Sequence, residues 1–313
     1  MNGAGFTEPT VGSEGSIEGR IRESWISYLT KTLGRPDEMA RKRAEKDVDR
    51  SMAAQVVREM KESGWELKGA EILEIGSGHG SLAVELALGG ARVTAIEPCE
   101  PWRKLSEERA ALMGLPITHL GADAHDLPFR DGWFDGCVSL QVLEHVHEPK
   151  RVIHEVSRVL KPGGRVLISC ENYLSFREPH YGVPWLPFLP KPLGALYLKR
   201  LGRDPAFLLD HVTYTWAPSL SKAFMDAGLY DRDWARVLAD CTGGLPSTPC
   251  LSRCVYRAFY RTAKGIAGES YARTAIACLV NRRTLFRTAF GIDGFKRTSL
   301  ELSTNTNEYI DGR

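Results

Sequence analysis

The feature that most restricts what this chain can fold into is the decapeptide Glu71-Ile-Leu-Glu-Ile-Gly-Ser-Gly-His-Gly80. Five residues of strand character run into a turn with glycine at 76, 78 and 80, and residues 81–89 beyond it read as a helix. Glycine there lets the backbone take positive φ and approach a bound group with no Cβ in the way. A strand, a glycine turn and a helix make half of a βαβ crossover, so a parallel sheet is expected, with a ligand beyond the strands' carboxyl ends. Further apolar runs at 92–97, 116–121, 134–140 and 164–170 alternate with helical stretches at 101–113 and 148–160. That alternation predicts an α/β fold, a Rossmann-like doubly wound and mostly parallel sheet.

The flanks carry less signal. Residues 1–20 lack the apolar surface to offset ordering entropy and are expected to be disordered. Residues 21–33 and 37–63 read as two helices ahead of the first strand, the second long and highly charged. After the fifth strand, residues 171–215 hold prolines at 179, 184, 187, 190, 192 and 205, enough to argue against long regular elements. The aromatics Tyr173, Phe176, Tyr181, Trp185, Phe188, Tyr197 and Phe207 in this span predict a lid over the site. A helix at 216–227 and a strand at 228–238 should follow. The expected organisation is 1–20 disordered, 21–64 helical, 65–240 the catalytic domain, and 241–313 a basic, helical C-terminal extension.

Which ligand does the turn hold? A dinucleotide fingerprint needs G-x-G-x-x-G/A, and its sixth place here is Ser81. The spacing is G-x-G-x-G with Glu74 two residues before the first glycine, and a carboxylate there favours a cationic ligand over a pyrophosphate. Glu97, followed by Pro98, ends the second strand where it could accept from a ribose diol. Asp123 could accept from an adenine amine while Ala124 offers its N–H to a ring nitrogen.

This succession, with Phe134-Asp135 and Leu160-Lys-Pro-Gly-Gly164, resembles the class I S-adenosylmethionine-dependent methyltransferases, in particular the small-molecule group related to quinone and sugar methyltransferases. The resemblance covers about residues 70–170. It implies Glu74 and Gly76 near the methionine moiety and Ser77, Gly78 and Gly80 shaping the loop. It further implies Glu97 and Pro98 at the ribose, Asp123 and Ala124 at the adenine, and Gln141 near the sulfonium. The expected activity is methyl transfer from S-adenosyl-L-methionine to a small-molecule, sugar- or lipid-linked acceptor at oxygen. Alternatives are C-methylation of a quinone-like acceptor, a nicotinamide-dependent oxidoreductase, and a non-catalytic cofactor-binding protein. The family usually closes its sheet with an antiparallel seventh strand, for which residues 251–260 are the only candidate found, and an ambiguous one.

Displacement at a sulfonium needs alignment and exclusion of water, and a hydroxyl acceptor also needs a base. His145 is the first candidate, with Glu171 and Asn172 at the end of the fifth strand and His180 and His211 in the insertion. No metal set is expected: Cys250 and Cys254 lack further ligands at metal spacing. The seven cysteines are odd in number and scattered, which argues against a disulfide framework. A net charge of +2 and the absence of a basic stripe argue against nucleic acid. With no apolar leader or span, a cytoplasmic protein is expected, with possible membrane contact through 185–203 or the basic extension.

Overall fold

The computed structural model describes residues 15–173, 175–231 and 289–296. Its elements begin with α1 (Ile17–Ser27), continued by a π turn (Tyr28–Thr32), then α2 (Asp37–Val48) and α3 (Ser51–Glu62). The alternating part follows as β1 (Glu71–Ile75), α4 (Ser81–Leu88), β2 (Arg92–Ile96), α5 (Glu100–Leu112), β3 (Thr118–Leu120), β4 (Phe134–Leu140), a 3-10 turn (Leu143–His145), α6 (Pro149–Val159) and β5 (Leu160–Glu171). The insertion contributes β6 (Arg177–Glu178), β7 (Val183–Pro184), α7 (Lys191–Arg200) and α8 (Ala206–His211). Last come α9 (Ala217–Asp226), β8 (Leu229–Asp231) and β9 (Ala289–Lys296).

Among the described residues, seven strands form one sheet in the order β3-β2-β1-β4-β5-β9-β8. β1 to β5 are mutually parallel, and β9 runs antiparallel between β5 and β8. Because strand side chains alternate between faces, Ile72 and Leu73 serve two different cores. Ile72, Val93, Ala95 and Val138 pack under Val57 and Met60 of α3 and Leu82, Ala83 and Leu86 of α4. Leu73, Ile75, Cys137, Val166 and Ile168 pack on the other face with Val152, Ile153 and Val156 of α6 and Leu220 and Phe224 of α9. Burying each such side chain is worth about 1.5–3 kcal/mol. The strand order reverses between β1 and β4, and there an open α/β sheet leaves a crevice at its carboxyl edge.

Four sequence expectations are corrected. First, α1 begins at Ile17, inside the segment expected to be disordered, because Ser16 caps Gly19 N–H at 3.2 Å and Ile17 and Ile21 bury against Leu105. Residues 1–14 of that segment lie outside the described residues. Second, residues 37–63 are two helices. Arg50 takes φ 57° between them, where Asp49 Oδ1 accepts from Ser51 N–H at 2.8 Å and Arg50 pairs with Glu85 at 2.8 Å.

Third, the proline-rich insertion contains two helices and a hairpin. Three of its prolines stand where no donor is needed: Pro190 and Pro205 precede α7 and α8, and Pro192 lies in the first turn of α7. The insertion has its own core of Tyr173, Tyr181, Trp185, Leu198, Phe207 and Leu208, joined by Leu33. Fourth, the antiparallel strand comes from Ala289–Lys296, within the stretch expected to be a helical extension, so the sheet draws on residues beyond 240. Residues 251–260 and the rest of 232–288, including Cys250 and Cys254, lie outside the described residues. Cys137 and Cys170 are buried, free thiols in β4 and β5.

Candidate active site

The glycine turn at the end of β1 is held by β2. Gly76 and Ser77 N–H both donate to the Ile96 carbonyl, at 2.8 and 3.1 Å. All three glycines have positive φ, for two different reasons. A Cβ on Gly76 would overlap Val142, and one on Gly80 would overlap the Ser106 hydroxyl, so these two are needed for packing. At Gly78, with φ 53°, a Cβ would meet nothing within 4 Å. The turn thus offers an open face above its middle glycine.

Two acids lie beneath that face. Glu97 is buried; its Oε2 accepts from Gly78 N–H and its Oε1 from Cys99 N–H, both at 2.9 Å. It therefore joins the two loops, and each oxygen keeps a lone pair for a ligand hydroxyl. Burial pushes its carboxyl up from the usual range. Glu74 is also buried, and its Oε2 has no hydrogen-bond partner. Burial, then the neighbouring Glu97, pushes its carboxyl up to about 8. An unpartnered buried carboxylate oxygen is costly, and two acids sharing one recess favour a cation. Ser77 likewise has a buried hydroxyl oxygen without a partner.

Behind the turn, the N-terminal helices close the recess. His79 Nε2 lies 2.9 Å from Ser24 Oγ, and its ring packs against Trp25 and Trp102, which stack on each other. Asp47, at the end of α2, accepts from Trp25 Nε1 at 2.7 Å and from the Ser81 hydroxyl. Arg109 donates to the Asp47 carbonyl at 2.7 Å and to Ser81 Oγ at 2.7 Å. None of this was legible beforehand: Asp47 and Arg109 look like two more charges on charged helices. Asp123 stands at the end of β3, exposed, its Oδ1 accepting from His125 N–H at 2.9 Å. Ala124 is buried and Pro98 exposed. The hydrogen bonds of Asp123 go to His125 and those of Glu97 to Gly78 and Cys99.

On the other side of the crevice, beyond β4 and β5, a second group of ionisable residues gathers. Gln141 has φ 58°, a strained conformation for this residue type that aims its amide across the strand ends. With the amide oriented to satisfy both acids, it donates to Glu171 Oε1 at 2.7 Å and Glu144 Oε1 at 3.2 Å. The Oε2 atoms of Glu144 and Glu171 are buried without partners. Burial raises both carboxyls, to about 8 for Glu144 and about 7 for Glu171.

His145 and His180 face each other with ring centroids 5.0 Å apart. His145 Nδ1 donates to the His211 carbonyl at 3.0 Å, and burial pulls the imidazole down to about 3. His180 Nδ1 pairs with Glu178 Oε1 at 3.1 Å, and that carboxylate outweighs burial to hold the imidazole above its ordinary value. The structure thus brings the candidates His145, His180 and Glu171 together, and it adds Glu144 and Glu178, which sequence reasoning passed over. Their only signal was adjacency to the chosen histidines.

Comparisons with known proteins bear on the domain that carries these residues. Residues 73–168 match the family described as Methyltransferase domain. The chain is 35% identical over 107 residues to a ubiquinone biosynthesis O-methyltransferase of Chromobacterium violaceum, covering 34% of this chain and 46% of that protein. It is 36% identical over 120 residues to the uncharacterized protein Rv1509 of Mycobacterium tuberculosis, covering 37% and 41%. The chain spans about half the length of the curated relatives it matches. Among solved structures, a phosphoethanolamine N-methyltransferase of Haemonchus contortus gives a TM-score of 0.48 at 15% identity, over 78% of this chain and 52% of that one. The chain carries a class I S-adenosylmethionine-dependent methyltransferase domain, with S-adenosylmethionine as the cofactor of that domain.

Proposed function

We propose that the protein transfers a methyl group to a hydroxyl oxygen of a small-molecule, sugar- or lipid-linked acceptor. The observation that carries this reading is the pairing of two buried acidic recesses across one strand-end crevice, one under an open glycine turn and one beyond β4 and β5. Glu74 with its unpartnered oxygen would take the cofactor's ammonium, Glu97 its ribose diol, and Asp123 with the Ala124 N–H its adenine. Ser77, Gly78 and Gly80 would shape the loop against it, Pro98 would border the ribose, and Gln141 would face the sulfonium end. When bound, the cofactor supplies an electrophilic methyl group on a sulfonium.

The chain's own residues do the rest. His79, Trp25 and Trp102 exclude water from the recess. Glu171, at the end of β5 with a free buried oxygen, is best placed to take the acceptor's hydroxyl proton. His145 and His180 line the same wall, their Nδ1 atoms already engaged. Ubiquinone biosynthesis O-methyltransferases among the relatives favour oxygen over carbon as the acceptor atom.

A lipid-linked acceptor is favoured by the insertion. Leu186, Phe188, Leu193, Leu196 and Leu201 are exposed there beside Lys191, Lys199 and Arg200, a pattern suited to resting on a bilayer surface. Among the described residues, no helix is long and apolar enough to cross a membrane.

The test is calorimetry with S-adenosylhomocysteine, followed by transfer of labelled methyl to hydroxylated acceptors of rising lipid character. Micromolar binding and a methyl ether product are expected. Failure to bind the cofactor would sink the reading, and a product methylated at carbon or nitrogen would sink its oxygen assignment.

A further inference from the structure

Glu144, His145 and His180 are joined here by the fold alone. Glu144 and His145 come from the 3-10 turn after β4, and His180 from the loop between β6 and β7. One donor atom from each of the three lies within 4.8 Å of the others. Each imidazole is held from behind through Nδ1, His145 by the His211 carbonyl at 3.0 Å and His180 by Glu178 Oε1 at 3.1 Å, with the Tyr173 hydroxyl at 3.2 Å. That leaves Nε2 as the open ligand atom on both rings. A histidine whose second nitrogen is fixed by a carbonyl or carboxylate is the usual arrangement around a bound metal.

Glu144 is fully buried, and its Oε2 has no partner. A buried oxygen with no hydrogen bond, beside two ring nitrogens, is satisfied by a bound cation, which also favours the ionised form of the acid. Glu171 presents a second such oxygen to the same space. Two imidazoles and one carboxylate are the donor set of open zinc, manganese and iron sites, in which the remaining positions go to water or substrate. No metal set is expected from the sequence, and His180 lies 35 positions beyond His145, a separation that no ligand-spacing motif marks.

We propose that Glu144, His145 and His180 bind a divalent first-row transition metal ion on the acceptor side of the crevice. The ion ties the insertion to the sheet, since His180 belongs to the former and Glu144 and His145 to the latter. Its open positions face the place where the acceptor oxygen is expected. That use rests on the methyl-transfer reading; the existence of the site does not.

The test uses the full chain, stripped with a chelator and returned to metal-free buffer. Zn²⁺ is titrated by calorimetry and Co²⁺ by visible absorption. One ion per chain is expected, with a weak d–d spectrum lacking a thiolate charge-transfer band, and Zn²⁺ should raise Tm by several degrees through linkage. Glu144→Gln and His145→Gln should each weaken Zn²⁺ by about tenfold or more. His180→Gln should do the same, and the near-isosteric Glu144→Gln decides the matter if that variant does not fold.

Three results would overturn the proposal: no uptake at about 100 µM free Zn²⁺, where a site of ordinary structural affinity is saturated; a thiolate band, placing the ion on cysteine; or unaltered uptake by folded Glu144→Gln and His145→Gln. S-adenosylhomocysteine binding is measured on the same samples. Its loss with the ion retained refutes the methyl-transfer reading alone, and the converse refutes only the metal site.

Discussion

Cofactor affinity should rise steeply with pH, and Glu74 is the reason. Its carboxyl is pushed up to about 8 by burial first and by Glu97 second. The free protein therefore carries Glu74 protonated at neutral pH, whereas an ammonium ligand needs the carboxylate. Apparent affinity scales with the ionised fraction, which is about 1% at pH 6 and about one half at pH 8. Binding should tighten about fifty-fold across that interval, on the order of 2.3 kcal/mol. Glu97 is raised too and would steepen the slope. The neighbouring Asp47 is held below its ordinary value and His79 is pulled down to about 4, so neither changes ionisation in the window.

Calorimetry with S-adenosylhomocysteine at pH 6, 7 and 8, in two buffers of different ionisation enthalpy, measures both the affinity and the protons released. About one proton should leave per ligand near pH 6.5, and Glu74→Gln should flatten the profile while weakening binding at pH 8. An affinity independent of pH, or better in acid, would refute the assignment of Glu74 to the ammonium.

The same shift has a sign for stability. A carboxyl raised in the folded state contributes stability present below about 4.5 and lost as pH rises through about 8, so the ligand-free protein should lose Tm over that range, less so in Glu74→Gln. Gly80→Ala, which forces a Cβ onto Ser106 at positive φ, should cost about 1–3 kcal/mol in urea unfolding. Gly78→Ala meets open space, so it should cost less stability yet still impair cofactor binding, and equal losses for the two would refute the division of roles. Asp47→Ala strips partners from Trp25, His79 and Ser81 and should destabilise by about 3–5 kcal/mol, read by thermal melting. Ending the chain at residue 288 removes the strand between β5 and β8, and the product should fail to give a cooperative melt.

What the sequence determined by itself was local. The run from Glu71 to Gly80 declares a strand, a turn and a helix because a five-residue apolar stretch, three glycines and an apolar helix are contiguous, and β1 and α4 follow within a residue. The parallel strands β2, β4 and β5 were legible because each carries a short apolar core, Val93 to Ile96, Cys137 to Leu140 and Val166 to Cys170, in step with the helices between them. β9 was not. Its residues, Ala289-Phe-Gly-Ile-Asp-Gly-Phe-Lys296, are broken by two glycines and an acid, and only neighbours on both sides, β5 and β8, make them a strand.

Long-range polar chemistry was equally silent. Asp47 meets Ser81 and Arg109 across 34 and 62 positions, and Glu144 and His145 meet His180 only because the insertion folds back over β4. Periodicity reports which face a residue occupies; it carries no information about which distant side chain occupies the same buried space, and that is decided when the layers close.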